Sequence, residues 1–139
     1  MTVNVEYVST PMGMINVLQV VCGVPAVVLL LGAHELSSIA GRADVLLMVV
    51  VASACLLTSV AALVACLTGS PDLPYCFLMK FHSSVAMAAY VPSSANYMCH
   101  ESRLEPYSMR AFAGVACILT GLMFLAHAVV VHQPISGNV

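Results

Sequence analysis

The sequence predicts an all-α integral membrane protein, an up-down antiparallel four-helix bundle with short loops and both termini on the same side. Of its 139 residues, 61% are hydrophobic and only 7% are charged, whereas a soluble domain carries about 25% charged residues. Three runs of at least 21 residues contain no charge, and a fourth run is as long but more polar. A helix of that length covers about 30 Å, the thickness of the hydrocarbon core of a bilayer.

The first predicted span covers residues 12–33 and begins directly after Pro11. Proline is favoured in the first turn of a helix, whereas Pro25 in the middle predicts a kink. No basic residue precedes the run, so we interpret it as a retained helix rather than a signal peptide. Amides need partners in lipid, and small residues let helices approach closely. One face combines both types and is predicted to pack on other helices: Asn16, Gln19, Gly23 and Ala26.

The second predicted span, residues 45–68, is the most apolar part of the chain and has no ionisable group except cysteine thiols. A tight turn of Gly, Ser, Pro and Asp residues at 69–74 follows it, which predicts that the second and third helices are antiparallel neighbours. Small residues recur every fourth position along it and predict a packing face. That face comprises Ala54, Thr58, Ala62 and Cys66.

The third predicted span, residues 77–97, is the weakest. Lys80 and His82 lie in its first two turns, where they can extend to the interface, and several serines make it too polar to face lipid on every side. An interfacial helix is the alternative. We prefer a span enclosed in the bundle, because 21 residues cover about 31 Å as a helix.

The fourth predicted span, residues 111–131, presents a small-residue face of Ala113, Cys117 and Gly121. Residues 34–44 and 98–110 form the two polar loops, and the whole chain, residues 1–139, forms one transmembrane domain. The second loop holds the densest charge cluster, which we interpret as a solvated segment, with a docking surface as the alternative. The cluster comprises Glu101, Arg103, Glu105 and Arg110.

Composition argues against several other classes. A net charge of −2 does not suit nucleic acid, which requires a clustered basic face. The six cysteines show no CxxC or Cys/His metal spacing, and most are interpreted as small apolar filler. No metal site or cofactor is expected, and no catalytic triad, phosphate loop or carboxylate pair can be assembled, so we predict a non-enzyme.

The number and spacing of the spans resemble those of MARVEL-domain proteins, the group that includes the physins, the myelin-and-lymphocyte proteins and the chemokine-like-factor type. The segments that carry the resemblance are MINVLQVVCGV in the first span, FHSSVAMAAYVPSSANY in the third, and the Ala/Gly-rich last span that ends near AHAVVVHQ. The resemblance implies a role in vesicle traffic, membrane apposition, fusion or junctions. It also implies a plasma-membrane or endomembrane location with cytosolic termini. Claudin-like proteins and tetraspanins fit less well, because they carry a longer extracellular loop.

The orientation in the membrane stays open at the level of the sequence. Basic residues of short loops favour the cytosolic side. The side that bears the termini has only Lys80, whereas the opposite side has Arg42, Arg103 and Arg110. This count points against the orientation that the resemblance implies.

The predicted function is the organisation of membranes or of membrane partners through lateral helix packing, with lipids, other transmembrane proteins or further copies of the chain as partners. The alternative is a small haem-binding or redox anchor subunit, in which His82 and His127 ligate haem or a metal from facing helices. A third hypothesis, a small channel or transporter, lacks the deep carboxylate that a proton or ion path needs.

Overall fold

The computed structural model describes residues 5–68, 77–101 and 108–132, and every regular element in these ranges is helical. The all-α prediction is therefore confirmed for this part of the chain. The predicted turn at residues 69–74, the chain ends and residues 102–107 of the second loop lie outside the described residues. The elements are a 3-10 helix Val5–Ser9, α1 Pro11–Ala33, α2 Leu36–Gly41, α3 Ala43–Leu67, α4 Phe77–Glu101 and α5 Met109–His132.

The four long helices pack in the ring order α1, α3, α4, α5, and each contacts its two neighbours. Their directions follow from contacts between ends. Gln19, near the start of α1, bonds to His127 near the end of α5, and Arg42, just before α3, bonds to Glu101 at the end of α4. In each of these two pairs, the neighbouring helices therefore run antiparallel. One end holds a small apolar cluster of Tyr7, Met12, Cys66 and Val131.

The start of α1 is held by local hydrogen bonds. The Thr10 hydroxyl accepts from the Gly13 amide at 3.1 Å and donates to the Tyr7 carbonyl at 2.7 Å, as expected for a threonine N-cap. Pro11 follows in the first turn, where its missing N–H costs nothing. Gly13 permits close approach of the 3-10 helix, because a Cβ at this position would overlap the Tyr7 carbonyl oxygen.

α3 buries a face that differs from the predicted one. Ala62 and Cys66 are buried, whereas Ala54 and Thr58 are exposed. A four-residue repeat turns by about 40° per step on a helix of 3.6 residues per turn, so it moves off one face within a few steps. Alternating steps of three and four stay on one face. The buried residues follow that rule: Val45, Met48, Ala52, Cys55, Ser59, Ala62 and Cys66.

α4 continues four residues beyond the predicted end, to Glu101. The extension keeps Tyr97 and Glu101 in phase with Tyr90 on the buried face of the helix. The loop between the first two spans also differs from expectation, because residues 36–41 form the short helix α2, whose Ile39 joins the core.

Three of the described helices, α1, α3 and α5, are long and apolar enough to cross a membrane. α4 has a matching length of 25 residues but is less apolar on average, because serines and tyrosines interrupt its apolar sequence. Most of these polar side chains lie inside the bundle: Ser83, Tyr90, Ser93, Ser94 and Tyr97 are all buried.

Candidate functional site

The predicted packing residues on α1 and α5 lie inside the bundle. On α1, Asn16, Gln19, Gly23 and Ala26 are all buried. On α5, Ala113, Cys117 and Gly121 are all buried, and a Cβ on Gly121 would lie 3.4 Å from the Tyr90 ring. The small residues thus coincide with the close contacts of α4 and α5.

Two buried amides of α1 have partners inside the bundle. The Gln19 Nε2 atom donates to Nδ1 of His127 at 2.9 Å, which ties α1 to α5. Asn16 Nδ2 donates to the Tyr7 hydroxyl at 3.4 Å. Such bonds satisfy groups that would otherwise be left unpaired in an apolar surrounding.

The two histidines of the haem hypothesis have different partners. His82 of α4 bonds through Nε2 to the Thr58 hydroxyl of α3 at 3.1 Å and packs edge-on against the ring of Phe124. His127 bonds to Gln19 of α1. The described residues contain no group of three or more His, Cys, Asp or Glu side chains that could hold a metal ion.

An ion network around the buried side chain of Glu101 lies at the opposite end of the bundle from the Tyr7 cluster. Arg42 bonds to Glu101 at 2.5 Å and to Asp44 at 2.6 Å, and Arg110 lies 3.9 Å from the second carboxylate oxygen of Glu101. The Glu101 side chain has 0% exposure. We call these four residues the Glu101 cluster. It joins α3, α4 and α5, and the hydrogen bond to Asp44 is the main cause that raises the pKa of Arg42.

His34, at the end of α1, lies at the same end of the bundle as the Glu101 cluster. It follows the last residue of α1, is 5% exposed, and bonds through Nε2 to the Tyr97 hydroxyl at 2.8 Å. Burial lowers the pKa of His34, because it removes water from the charged imidazolium. Glu101 opposes that shift, whereas Arg110 and Arg42 add to it. The neutral imidazole is therefore favoured in the folded chain.

The sequence interpretation missed this site by assigning Glu101 to a solvated loop. A signal was present, since Tyr90, Ser94, Tyr97 and Glu101 are spaced by four, three and four residues. That spacing is the period of one helix face and extends the third helix to Glu101. The pairing with Arg42 carries no comparable signal, because 59 residues separate the two.

An apolar groove runs along the outer surface between α3 and α4. Two adjoining pockets of about 260 and 340 Å³ share Thr58 and His82 and form the groove. Alanine is the most frequent residue in its walls, and these small side chains leave space between the two helices. The alanines are Ala54, Ala61, Ala62, Ala65, Ala86 and Ala89.

Over the part of the chain that the structure describes, the fold is all-helical, three helices are long and apolar enough to cross a membrane, and an ion network surrounds the buried Glu101 at one bundle end. Comparison of the chain with known protein families, curated proteins and solved structures gives no match.

Proposed function

We propose that the chain is an integral membrane protein with four spans, which organises membranes or membrane partners through lateral contacts. The observation that supports this most is the distribution of side chains. Polar groups such as Asn16, Gln19 and Thr120 are buried, whereas large apolar side chains cover the outside. A water-soluble bundle has the reverse arrangement.

α4 carries most of the argument for a fourth span. Its exposed side includes Phe77 at 81% exposure, Leu78 and Phe81 in the first turns, and Val85 and Val91 further on. Most of its serines and tyrosines lie inward, and several of their hydroxyls bond to the helix backbone or to a neighbouring segment. The Ser83 and Ser94 hydroxyls, for example, donate to carbonyls of the preceding turn. A helix of this kind meets lipid with apolar side chains even though its average composition is polar.

The groove between α3 and α4 supports the lateral mode of action. The alanines of its walls let another helix or an acyl chain approach closely, and in membranes small residues are enriched where helices associate. The MARVEL-like resemblance adds a proposed setting of vesicle traffic or membrane apposition, with cytosolic termini. In this proposal the chain is not an enzyme. A Soret band in the purified protein that disappears in both His82→Ala and His127→Ala would contradict it.

A labelling experiment tests the fourth span. Lys80, at the start of α4, is the only lysine in the chain, and His100 is exposed at the other end of the helix. We expect a membrane-impermeant amine reagent to label Lys80 from one side of sealed vesicles. In a Lys80→Arg, His100→Lys variant, it should label the new lysine from the other side.

Peptide mapping of each labelled product separates these lysines from the terminal amine, and permeabilised vesicles serve as the control for reactivity. Labelling of both positions from the same side would mean that α4 lies at the interface, and the four-span proposal would then be wrong.

Lateral association is tested with fluorescent copies in reconstituted vesicles. Energy transfer between donor- and acceptor-labelled chains should exceed that of a random distribution at the same protein-to-lipid ratio. Ala61→Phe fills the groove and should reduce the excess by at least about half, because a close contact of this kind depends on small residues. Ala88→Phe, at an exposed α4 position outside the groove-lining residues, is the matched control. Random transfer at every ratio would contradict association of copies as the mechanism.

A further inference from the structure

A polar pocket lies beside the Glu101 cluster, where α1 ends and α5 begins. It measures about 410 Å³, within the range of small-molecule sites. The residues that line it are Gly32, Ala33, His34, Glu35, Ser38 and Arg110. The pocket is more polar than the apolar groove between α3 and α4, because it brings together an arginine, a carboxylate, an imidazole and a hydroxyl.

Arg110 is the cationic wall of the pocket. Its Nε donates to the Ala33 carbonyl at 3.4 Å, and one terminal nitrogen lies 3.9 Å from Glu101. The side chain remains 40% exposed, so part of the guanidinium is available to a ligand. Arginine presents planar, paired N–H donors that match the oxygens of a phosphate.

His34 supplies the second observation that points to a ligand. The His34 side chain is only 5% exposed, and its Nδ1 atom has no hydrogen-bond partner among the described residues. When the Tyr97 hydroxyl donates to Nε2, Nδ1 carries the proton and is a buried donor on a residue that lines the pocket. A buried donor without a partner is costly, and a phosphate oxygen would satisfy it.

The charges around the pocket select against a purely anionic ligand. Within the Glu101 cluster, Arg42 and Arg110 are balanced by Asp44 and Glu101. Glu35 is exposed on the pocket wall and adds one negative charge, and no salt bridge joins it to Arg110 in the described part of the chain. Opposite charges among the lining residues suit a ligand that itself carries both signs.

From these contacts we propose that the pocket binds the phosphate–ammonium headgroup of a zwitterionic phospholipid, with the phosphate on Arg110 and His34 and the ammonium at Glu35. The location of the pocket supports a membrane lipid as the source of this headgroup. This step rests on the proposed embedding of the chain in a membrane. α1 has 23 residues and covers about 35 Å, so its end lies at headgroup level in a bilayer.

The test is native mass spectrometry of the full chain in detergent with dihexanoyl phosphatidylethanolamine. We expect one bound lipid per chain and an affinity at least about tenfold lower in Arg110→Gln, because a charge-assisted hydrogen bond is lost. Ser38→Leu fills the pocket without removing a charge and should weaken binding similarly. Lys80→Gln, which removes a cation at the opposite end of the bundle, should leave binding unchanged.

Matched probes separate the possible ligands. Dihexanoyl phosphatidylglycerol has the same chains and phosphate but no ammonium, and should bind at least about tenfold less tightly. Glu35→Gln should remove most of that preference. Equal binding of the two lipids by the unaltered chain, or an unchanged preference in Glu35→Gln, would overturn the zwitterion assignment.

Free phosphoethanolamine and inorganic phosphate test the source. Competition by phosphoethanolamine at the concentration of the lipid would overturn the lipid assignment in favour of a soluble zwitterion. Displacement by inorganic phosphate alone would overturn the role of Glu35. These measurements are made in detergent, so their failure leaves the Lys80 labelling result intact, and a failed topology leaves the binding result intact.

Discussion

Arg42→Gln is expected to lower the free energy of unfolding by about 3 kcal/mol or more, because it leaves a buried carboxylate without its nearest counter-charge. Glu101 is fully buried and bonds to Arg42 at 2.5 Å, whereas Arg110 lies 3.9 Å away and is too distant for a hydrogen bond. The measurement is the folded fraction during titration with a denaturing detergent in mixed micelles.

A double variant distinguishes the loss of the pair from the loss of one side chain. Arg42→Gln with Glu101→Gln removes both charges and should recover at least about half of the stability lost in the single variant, since no uncompensated buried charge remains. Lys80→Gln is the control for removal of a cation. If Arg42→Gln lowers the free energy of unfolding no more than Lys80→Gln does, the buried charge of Glu101 is not stabilised by Arg42.

Ala88→Arg is expected to prevent α4 from spanning the membrane, whereas Ala95→Arg is tolerated. Both alanines are exposed, and they lie seven residues apart on the same face of α4. An arginine at the centre of a span costs about 2.5 to 3.5 kcal/mol on insertion scales. Ala95 lies only about 9 Å from the end of the helix at Glu101, where a long side chain extends to the interface.

The side on which lysines are labelled measures this effect directly. In Ala88→Arg chains, Lys80 and a lysine at position 100 should react from the same side, whereas in Ala95→Arg chains they should react from opposite sides. α4 is the sensitive helix, because its composition is less apolar than that of the other three long helices. Labelling from opposite sides in Ala88→Arg chains would contradict this prediction, whereas labelling from the same side in both variants and in the unaltered α4 would indicate that the helix lies at the interface.

The sequence interpretation succeeded where composition and local spacing act alone. The long helices begin and end near the predicted positions, because long, mostly apolar runs bounded by polar and turn-forming residues favour single helices. On α1, amide and small residues at helical spacing coincide with the buried stripe of Asn16, Gln19, Gly23 and Ala26. An amide side chain without a hydrogen-bond partner is costly in an apolar surrounding. The face that packs on other helices can therefore be inferred without knowledge of the partner.

The sequence interpretation failed where contacts between segments far apart in the chain determine which side chains are buried. The α3 face was assigned by a four-residue repeat of small residues, but packing against α1 and α4 selects a face with a mean period of 3.5 residues. Ala54 and Thr58 lie outside that face and line the groove. The charges of the second loop were expected to be solvated, yet Glu101 is buried by its pairing with Arg42.

The sequence by itself determined the all-helical class, the approximate positions of four long helices and their apolar character. Each of these follows from residues within one segment, through hydrophobicity, length and helix-ending turns. Only the tertiary structure decided that Gln19 bonds to His127, that Thr58 bonds to His82, and that Arg42 neutralises Glu101 beside a polar pocket. These pairings depend on which helices become neighbours and in what register, and no single segment carries that information.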